Sequence, residues 1–338
     1  MIRRLVPAVL LVAIAAVLLL VAWPQLFHAE RLPLVAQAVS LRPLAIAGAV
    51  AAAVVFGLVA VLARGVRRFA ASVVLLLVVF SGFNLAVLSS RGFGDVTFEA
   101  ATDSDVTVLS WNTLGDAPGA KTVAELALAE GADIITLPET TLDMGTAIAE
   151  RMARAGQPMY VFTEAFDQIS KARSTTLLVS DSLGEYRKVT ELGSTGQLPS
   201  VITEPVNGDG PRIVSVHPVA PIPSELDGWS VDLDWLATAC SADNVIMAGD
   251  FNSTIDHFNH IEHADGATIG NCSDAAELSG NAAVGTWPTF LPPVLGTPID
   301  HVLVTDNWRV SGLRVVESLD DAGSDHRPVV AQLSPTGS

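Results

Sequence analysis

The hydrophobic residues of this chain follow two patterns, and the change between them comes near residue 90. Before that point, three uncharged stretches are long enough to cross a bilayer, which takes about 20 apolar residues. They are Leu5–Phe27, Pro43–Ala63 and Phe69–Ser90. Backbone groups inside hydrocarbon must be hydrogen bonded within their own segment, so each stretch is predicted to be a transmembrane helix.

Beyond residue 90 the apolar runs shorten, and runs rich in Val, Ile and Thr alternate with longer amphipathic ones. The amphipathic runs predict helices over Thr122–Glu130, Met144–Ala155 and Ser224–Cys240. Strands are predicted at Val106–Ser110, Asp133–Leu137, Met159–Thr163, Ser174–Ser180, Tyr186–Glu191, Ser200–Glu204, Ile213–His217, Val245–Ala248, His301–Thr305, Arg309–Val316 and Pro328–Leu333. Several strands follow one another directly, which favours an α+β sandwich over a purely parallel sheet. The predicted organisation is a membrane region at 1–90, a polar linker at 91–104 and a folded domain at 105–334.

The first apolar stretch has a rival interpretation as a secretory signal peptide, because Arg3 and Arg4 resemble its basic start. The stretch is longer than a usual signal sequence and lacks a clear small-x-small cleavage site, which favours a membrane anchor. Asn84, inside the third stretch, is open to two interpretations. It either joins helices by hydrogen bonding or lies near the outer interface, and the interface is the simpler choice.

Charge divides the chain at the same place. Residues 1–90 contain seven Lys or Arg and one acidic residue, whereas the remainder has a net charge of −23. Short loops rich in Lys and Arg stay on the cytoplasmic side. Arg3 and Arg4 precede the first stretch, and the loop before the third contains Arg64, Arg67 and Arg68. This distribution predicts a cytoplasmic N-terminus and, after three crossings, a domain outside the cytoplasm.

The acidic domain bears on the partners of the protein. A protein that binds a nucleic-acid backbone uses clustered Lys and Arg to displace counterions, yet only three lysines occur in the whole chain. Nucleic acid is therefore a disfavoured partner, though a local basic groove would still allow it. Cys240 and Cys272 are the only cysteines. They form either a disulfide, as an oxidising compartment would allow, or two buried thiols.

Polar residues that can do chemistry lie where the predicted strands end. They occur in the fragments VLSWNT, IITLPET, VSVHP, MAGDFN, PIDHVLV and SDHRPVV. Carboxylate oxygens such as those of Glu139 and Asp325 suit Mg²⁺, Mn²⁺ or Ca²⁺. Strand ends are rigid, and the loops that leave them are exposed, which is typical of a catalytic or binding site.

These six fragments, in this order, resemble the deoxyribonuclease-I-like endonuclease/exonuclease/phosphatase superfamily over about residues 105–334. The resemblance implies a four-layer α/β/β/α sandwich, in which two packed mixed β-sheets are flanked by helices. It also implies a divalent-metal-dependent hydrolase of phosphate mono- or diesters. By this resemblance Glu139 is the principal metal carboxylate, Asp325 is a second one, and Asn112 is a metal or phosphate contact beside them.

The same resemblance implies the catalytic residues. Asp250 would orient or deprotonate the attacking water, with Asn252 as its companion on the phosphate. His326 would be the imidazole at the scissile phosphate, with Asp300 as the carboxylate that fixes it. His217 matches the second histidine of the family, and the assignment of acid and base between the two histidines stays open.

Two points do not follow the family pattern. The carboxylate partner of His217 has no secure match, and Glu164 is a loose candidate. His257, His260 and His263 also suggest a metal, but their spacing does not place them together on one helix face, so a second metal site is not predicted.

The leading hypothesis is a membrane-anchored phosphoesterase with Mg²⁺, Mn²⁺ or Ca²⁺ as cofactor. The acidic charge favours a small phosphorylated molecule, a lipid head group or an envelope component as substrate, and membrane lipid is an expected partner. An extracytoplasmic nuclease of the same superfamily and a non-catalytic, membrane-tethered binding module on the same fold are the alternatives. Complete sets of carboxylates and imidazoles argue against the binding module, because a degenerate site would lack some of them.

Overall fold

A computed structural model describes residues 2–94, 98–167, 169–259, 261 and 268–337 of the chain. The chain divides into two compact units, Met1–Arg91 and Gly92–Ser338. His260 and His263, which were considered above as metal ligands, lie outside the described residues.

The first unit is helical. Its helices are α1 (Ile2–Ala22), α2 (Val35–Ser40), α3 (Arg42–Leu62) and α4 (Arg67–Arg91). Helices α1, α3 and α4 are long and apolar enough to cross a membrane, as the sequence predicts. Helix α1 ends at Ala22, before the predicted end at Phe27, because Pro24 disfavours helical backbone at the residue before it. A short 3₁₀ turn, Pro24–Phe27, follows.

Asn84 joins helices of this unit. Nη1 of Arg42, at the start of α3, donates to Oδ1 of Asn84 on α4 at 2.5 Å, and also to the carbonyl of Ala22 at 3.0 Å. Both side chains are buried. Of the two interpretations of Asn84, the structure therefore shows interhelical hydrogen bonding, since the guanidinium needs acceptors where water is excluded.

The second unit contains two β-sheets. The order in the first sheet is β12-β13-β1-β2-β4-β3, and in the second it is β5-β6-β7-β8-β11-β10-β9. The strands are β1 (Val106–Ser110), β2 (Ile134–Pro138), β3 (Met159–Ala165), β4 (Ser174–Ser180), β5 (Tyr186–Val189), β6 (Val201–Pro205), β7 (Arg212–Val216), β8 (Val245–Asp250), β9 (Thr268–Ile269), β10 (Cys272–Asp274), β11 (Asp300–Val304), β12 (Trp308–Val315) and β13 (Val329–Pro335). Two pairs are parallel, β1 with β2 and β7 with β8, and the other pairs are antiparallel.

Four helices complete this unit: α5 (Gly119–Glu130), α6 (Leu142–Arg154), α7 (Leu226–Ala239) and α8 (Ala275–Leu278). Alternate residues of each strand point to opposite faces of its sheet. One core lies between the sheets, with Val108 and Ile246 as members. A second lies between the first sheet and helices α5 and α6. Helix α7 connects β7 to its parallel neighbour β8. The predicted sandwich of two mixed sheets flanked by helices is confirmed.

The segment predicted as a polar linker, 91–104, differs in its described part. Arg91 is the last residue of α4. The carbonyl of Gly92 accepts from the backbone of Ala283, and Gly94 donates to the carbonyl of Gly280. Phe98 packs into the core beside α5 and α6. Gly92, Gly94 and Phe98 therefore group with the second unit, through backbone hydrogen bonds and a half-buried aromatic ring packed against its core.

Candidate active site

The topology brings the polar strand ends to one edge of the two sheets. Parallel strands β1 and β2 end beside each other, and so do β7 and β8, so the residues that follow them share that edge. Strands β11 and β13 run antiparallel to β8 and β1, so their first residues lie there too. The predicted residues at this edge are Asn112, Glu139, His217, Asp250, Asn252, Asp300, Asp325 and His326. The structure places all eight in one cluster.

Asn112 connects two carboxylates across the two sheets. Its Nδ2 donates to Oε1 of Glu139 at 3.2 Å and to Oδ2 of Asp250 at 3.0 Å. Its Oδ1 accepts from the backbone of Leu114 at 3.0 Å. Because both side-chain hydrogens of Asn112 point at carboxylates, this residue holds Glu139 and Asp250 together.

His326 lies between two aspartates. Its Nδ1 is 2.9 Å from Oδ2 of Asp300, and its Nε2 is 3.7 Å from Oδ2 of Asp250. Asp300 and Asp250 are cross-strand partners in the β8–β11 ladder, which explains why one imidazole reaches both. Ser324 holds the backbone of this loop: its hydroxyl donates to the carbonyl of Asn112 and accepts from the backbone of His326.

His217 has a different environment. Its Nε2 is 3.9 Å from Oε1 of Glu139, and its buried Nδ1 has no hydrogen-bond partner among the described residues. Glu164, the loose candidate for its partner, is wrong, because its carboxylate binds Nζ of Lys188 at 2.8 Å. Glu164 lies on β3 and Lys188 on β5, and the described residues offer no orienting carboxylate to Nδ1 of His217.

Asn252 holds Asp250. Its backbone donates to Oδ1 of Asp250 at 2.8 Å, and its Nδ2 donates to the carbonyl of Pro218 at 3.0 Å and to Oδ2 of Asp250 at 3.3 Å. The role expected for this amide was a contact with the phosphate. The described contacts use both of its side-chain hydrogens elsewhere, which indicates a positioning role.

Two site residues have strained backbones. Glu139 has φ of 56° and Asn252 has φ of 46°. Both values lie in the left-handed region, which residues other than glycine adopt uncommonly. Gly249 precedes the cluster with φ of 151°, and a Cβ there would lie 2.2 Å from the carbonyl of Val216. Strain of this kind persists where the surroundings hold it, and it is often found at functional sites.

The ionisation of the cluster is asymmetric. Burial raises the pKa of Asp250 to about 7, and Asp300 adds to this while His326 opposes it. Burial disfavours a charged His326, but Asp300 and Asp250 outweigh it and raise the pKa of His326 to about 10. Burial and the nearby His326 lower the pKa of His217 to about 3. At neutral pH, His326 is therefore cationic and His217 is neutral.

The donor set fits a divalent cation. Burial raises the pKa of Glu139, the hydrogen bond from Asn112 and the nearby His326 oppose this, and the Asp325 carboxylate adds to it because like charges repel. Oδ1 of Asp325 is buried and has no hydrogen-bond partner among the described residues, although Oδ2 accepts from Nε1 of Trp287 at 2.9 Å. A free carboxylate oxygen beside a second carboxylate is a suitable site for Mg²⁺ or Mn²⁺.

Ligand atoms of Asp250, Asp300 and His326 also lie within 4.8 Å of one another, which makes them a second candidate group. Oδ1 of Asp300, like Oδ1 of Asp325, is buried without a hydrogen-bond partner among the described residues, and Nε2 of His326 lies 3.9 Å from Oδ1 of Asp325. The two groups therefore adjoin, and Glu139 with Asp325 is the preferred pair because both are carboxylates, the ligands that Mg²⁺ favours.

Comparison with known proteins agrees with this geometry. The sequence profile described as "Endonuclease/Exonuclease/phosphatase family" matches residues 109–326. The chain belongs to the endonuclease/exonuclease/phosphatase family. The resemblance inferred from the six fragments is thereby confirmed, and no curated protein matches the chain.

Solved structures with the family fold are similar to this chain at low identity. An endonuclease/exonuclease/phosphatase from Beutenbergia cavernae DSM 12333 is 19% identical, with 69% of this chain and 72% of that one covered and a TM-score of 0.53. TDP2 of D. rerio, complexed with a single-strand DNA product, is 16% identical, with 69% and 100% covered and a TM-score of 0.52. The 3′-5′ exonuclease NExo from Neisseria meningitidis is 17% identical, with 68% and 100% covered and a TM-score of 0.50. These identities show the shared fold alone.

The family fold explains why sequence reasoning located this cluster, and the structure adds residues that it missed. Trp287 donates from Nε1 to Oδ2 of Asp325, a contact that the sequence does not indicate. Ser324 and Trp229 were not singled out, although Trp229 donates from Nε1 to the carbonyl of Asn252 at 3.1 Å. No local pattern marks these contacts. The only signal for Ser324 is its place beside Asp325 in the sixth fragment.

Proposed function

We propose that this family member is a membrane-anchored, metal-dependent phosphoesterase that attacks a phosphate ester with an activated water. The observation that carries the proposal is the single cluster formed by Asn112, Glu139, Asp250, Asp325 and His326. In this proposal Glu139 and Asp325, steadied by Asn112, hold Mg²⁺ or Mn²⁺. When bound, such a cation polarises a phosphoryl oxygen and offsets the developing charge.

Asp250 is the proposed general base. Its pKa is raised to about 7. A base with a pKa near the working pH is partly unprotonated and still binds a proton strongly, which favours general-base catalysis. Asn112 and Asn252 direct hydrogens at its two oxygens, so the carboxylate has one orientation. A water that loses its proton to Asp250 becomes the nucleophile.

His326 is the proposed cationic donor to the phosphate. Asp300 binds its Nδ1, so Nε2 faces the cluster with a hydrogen to donate. His217 is neutral and so acts through an N–H hydrogen bond without changing its charge. This division between the two histidines follows from the carboxylate that only His326 has on its Nδ1.

The surroundings of the site favour a lipid phosphoester over nucleic acid. Large exposed apolar side chains come soon after cluster residues or their partners along the chain: Leu114 (44%), Leu142 (54%), Ile222 (51%) and Phe290 (81%), the last of which follows Trp287, the partner of Asp325. Ten of the eleven Lys and Arg residues after Arg91 lie within 4 Å of a carboxylate, which leaves little free positive charge for a polyanion. Three helices of the same chain can cross a membrane.

The test uses the full chain in detergent micelles with Mn²⁺. We expect it to hydrolyse bis(p-nitrophenyl) phosphate, to stop when a chelator is added, and to resume when Mn²⁺ is restored. We further expect faster turnover of a phospholipid phosphodiester in mixed micelles than of single-stranded DNA at equal phosphodiester concentration. No metal-dependent turnover of any ester would remove the phosphoesterase proposal, whereas preferential DNA cleavage would remove only the lipid preference.

We also propose that the N-terminus is cytoplasmic and the second unit lies outside the cytoplasm. The arginine-rich loops support this orientation, and so does the Cys240–Cys272 disulfide, since disulfides persist in oxidising compartments. A cysteine introduced at exposed Asp306 should react with a membrane-impermeant maleimide on intact spheroplasts. One introduced at Gly65, between α3 and α4, should react only after lysis. The reverse labelling pattern would overturn the orientation.

A further inference from the structure

A buried ion pair lies behind the turn that follows Asp250. Nδ1 of His301 is 2.6 Å from Oδ2 of Asp274, and Nε2 of His301 is 2.9 Å from the carbonyl of Ser253. Both side chains are buried. Neither residue is among those that the sequence suggested for catalysis, and the proposed reaction does not use either.

The contacts specify where the protons are. A carbonyl only accepts, so Nε2 of His301 carries a hydrogen for Ser253. A carboxylate oxygen at 2.6 Å from Nδ1 needs a second hydrogen between the two atoms. Asp274 outweighs the effect of burial and raises the pKa of His301, which agrees with an imidazolium that donates from both nitrogens. Phe251 and Phe258 present ring edges to this imidazole at centroid distances of 5.2 and 5.4 Å.

The partners of the pair lie on rigid elements. Asp274 ends strand β10, and its Oδ1 caps α8 by accepting from the backbone of Glu277 at 2.9 Å. His301 belongs to β11, where it pairs with Gly249 of β8. The turn itself contains the strained residue Asn252, which orients Asp250. His301, held on a strand, therefore donates to the carbonyl of Ser253, the residue directly after Asn252.

We propose that His301 is a positioning residue, which holds the carbonyl of Ser253 and thereby fixes the turn that aims Asp250 into the cluster, while Asp274 orients the imidazole through a hydrogen bond that an amide can replace. The inference rests on the proposed function, because it assigns a task to Asp250. Displacements of about 1 Å in catalytic groups can change rates by about 100-fold. Asparagine tolerates the left-handed conformation of Asn252, so the contact of His301 with Ser253 fixes where the turn lies and does not create its shape.

Two variants test the pair without leaving an unpaired charge in the interior. In Asp274→Asn, the amide oxygen can still cap α8 and the amide hydrogens can donate to Nδ1 of a neutral His301, so Nε2 still donates to Ser253. In the double variant Asp274→Asn/His301→Phe, the ring packing is kept and only the hydrogen bonds of the imidazole are lost. The single variant is therefore the matched control.

For bis(p-nitrophenyl) phosphate with Mn²⁺, we expect Asp274→Asn to keep kcat within threefold of the wild type. The double variant should lose ten- to 100-fold in kcat with KM changed less than threefold, while the rise in melting temperature on adding Mn²⁺ is kept. Equal kcat in the two variants, measured below both melting temperatures, would overturn the inference. A loss of kcat in Asp274→Asn as large as in the double variant would also overturn it.

Amide hydrogen exchange gives a readout that does not need activity. In the double variant, amides of residues 251–258 should exchange at least tenfold faster than in Asp274→Asn, while amides of β8 keep their protection. Unchanged exchange across this turn would count against the positioning role. If the wild type lacks turnover but the two variants show this difference in exchange, the proposed function fails, whereas the role of His301 in holding the turn stands.

Discussion

Replacing Asp250 by asparagine should lower kcat for a phosphodiester by about 1,000-fold, which is within the range of about 10²–10⁴ for the loss of a positioned general base. The amide keeps the shape of the side chain but cannot accept the proton of the attacking water. Oδ1 and Oδ2 accept from Asn252 and Asn112, so one hydrogen-bond conflict also arises. Steady-state kinetics with Mn²⁺ on the full chain in detergent measure the change.

The exposed Asp243 provides the matched control. Asp243→Asn makes the same change of charge away from the cluster and should keep kcat within twofold. Asp250→Asn removes the burial penalty that raises the pKa of this carboxyl, but it also takes from His326 one of its two carboxylate partners. The kinetics are therefore measured below the melting temperature of each variant. Turnover within tenfold of the wild type would show that Asp250 is not the base.

Replacing Glu139 by glutamine should remove the stabilisation that Mn²⁺ gives to the folded protein. Ligand at about 100 times its Kd stabilises by about 2.7 kcal/mol, which corresponds to several degrees in the melting temperature of a domain of this size. The variant lacks one of the two proposed carboxylate ligands, so at the same Mn²⁺ concentration the rise should disappear. Thermal unfolding with Mn²⁺ and with chelator measures this effect, and it does so without a substrate.

Glu164→Gln is the control for Glu139→Gln. Glu164 pairs with Lys188 on the surface, and an exposed pair contributes about 0–1 kcal/mol. That variant should respond to Mn²⁺ as the wild type does and keep its turnover. Glu139→Gln should instead lose turnover together with its response. A full Mn²⁺ response in Glu139→Gln would place the cation elsewhere, with Asp250, Asp300 and His326 as the next group to test.

The strands that carry the site could be predicted because their composition is unambiguous. The bounds of β1 and β4 agree with the prediction, since both are runs of β-branched and apolar residues that the two cores bury on both faces. Strands β9 and β10 were not predicted. They have two and three residues, which is too short for alternation to show, and they form only because β11 offers an edge.

The cluster residues could be predicted for a related reason, since each lies at or within a few residues of one end of a strand. Their partners could not. Trp287 and Asp325 are 38 residues apart, and His301 and Asp274 are 27 apart, so both contacts depend on the packing of loops across the sheet edge. The left-handed backbone of Glu139 was also missed, because glutamate has no intrinsic preference for it and only the tertiary contacts hold it there.

The Cys240–Cys272 disulfide joins two elements that both contact the turn after Asp250. Cys240 follows α7, whose Trp229 binds the carbonyl of Asn252, and Cys272 begins β10, whose Asp274 reaches the carbonyl of Ser253 through His301. Closing a loop of this length is worth about 3–4 kcal/mol by the chain-entropy estimate. Material made in the reducing cytosol of an expression host lacks that covalent closure. Enzymology on this protein therefore calls for production in a periplasm or by oxidative refolding, with thiol reagents kept out of the assay buffer.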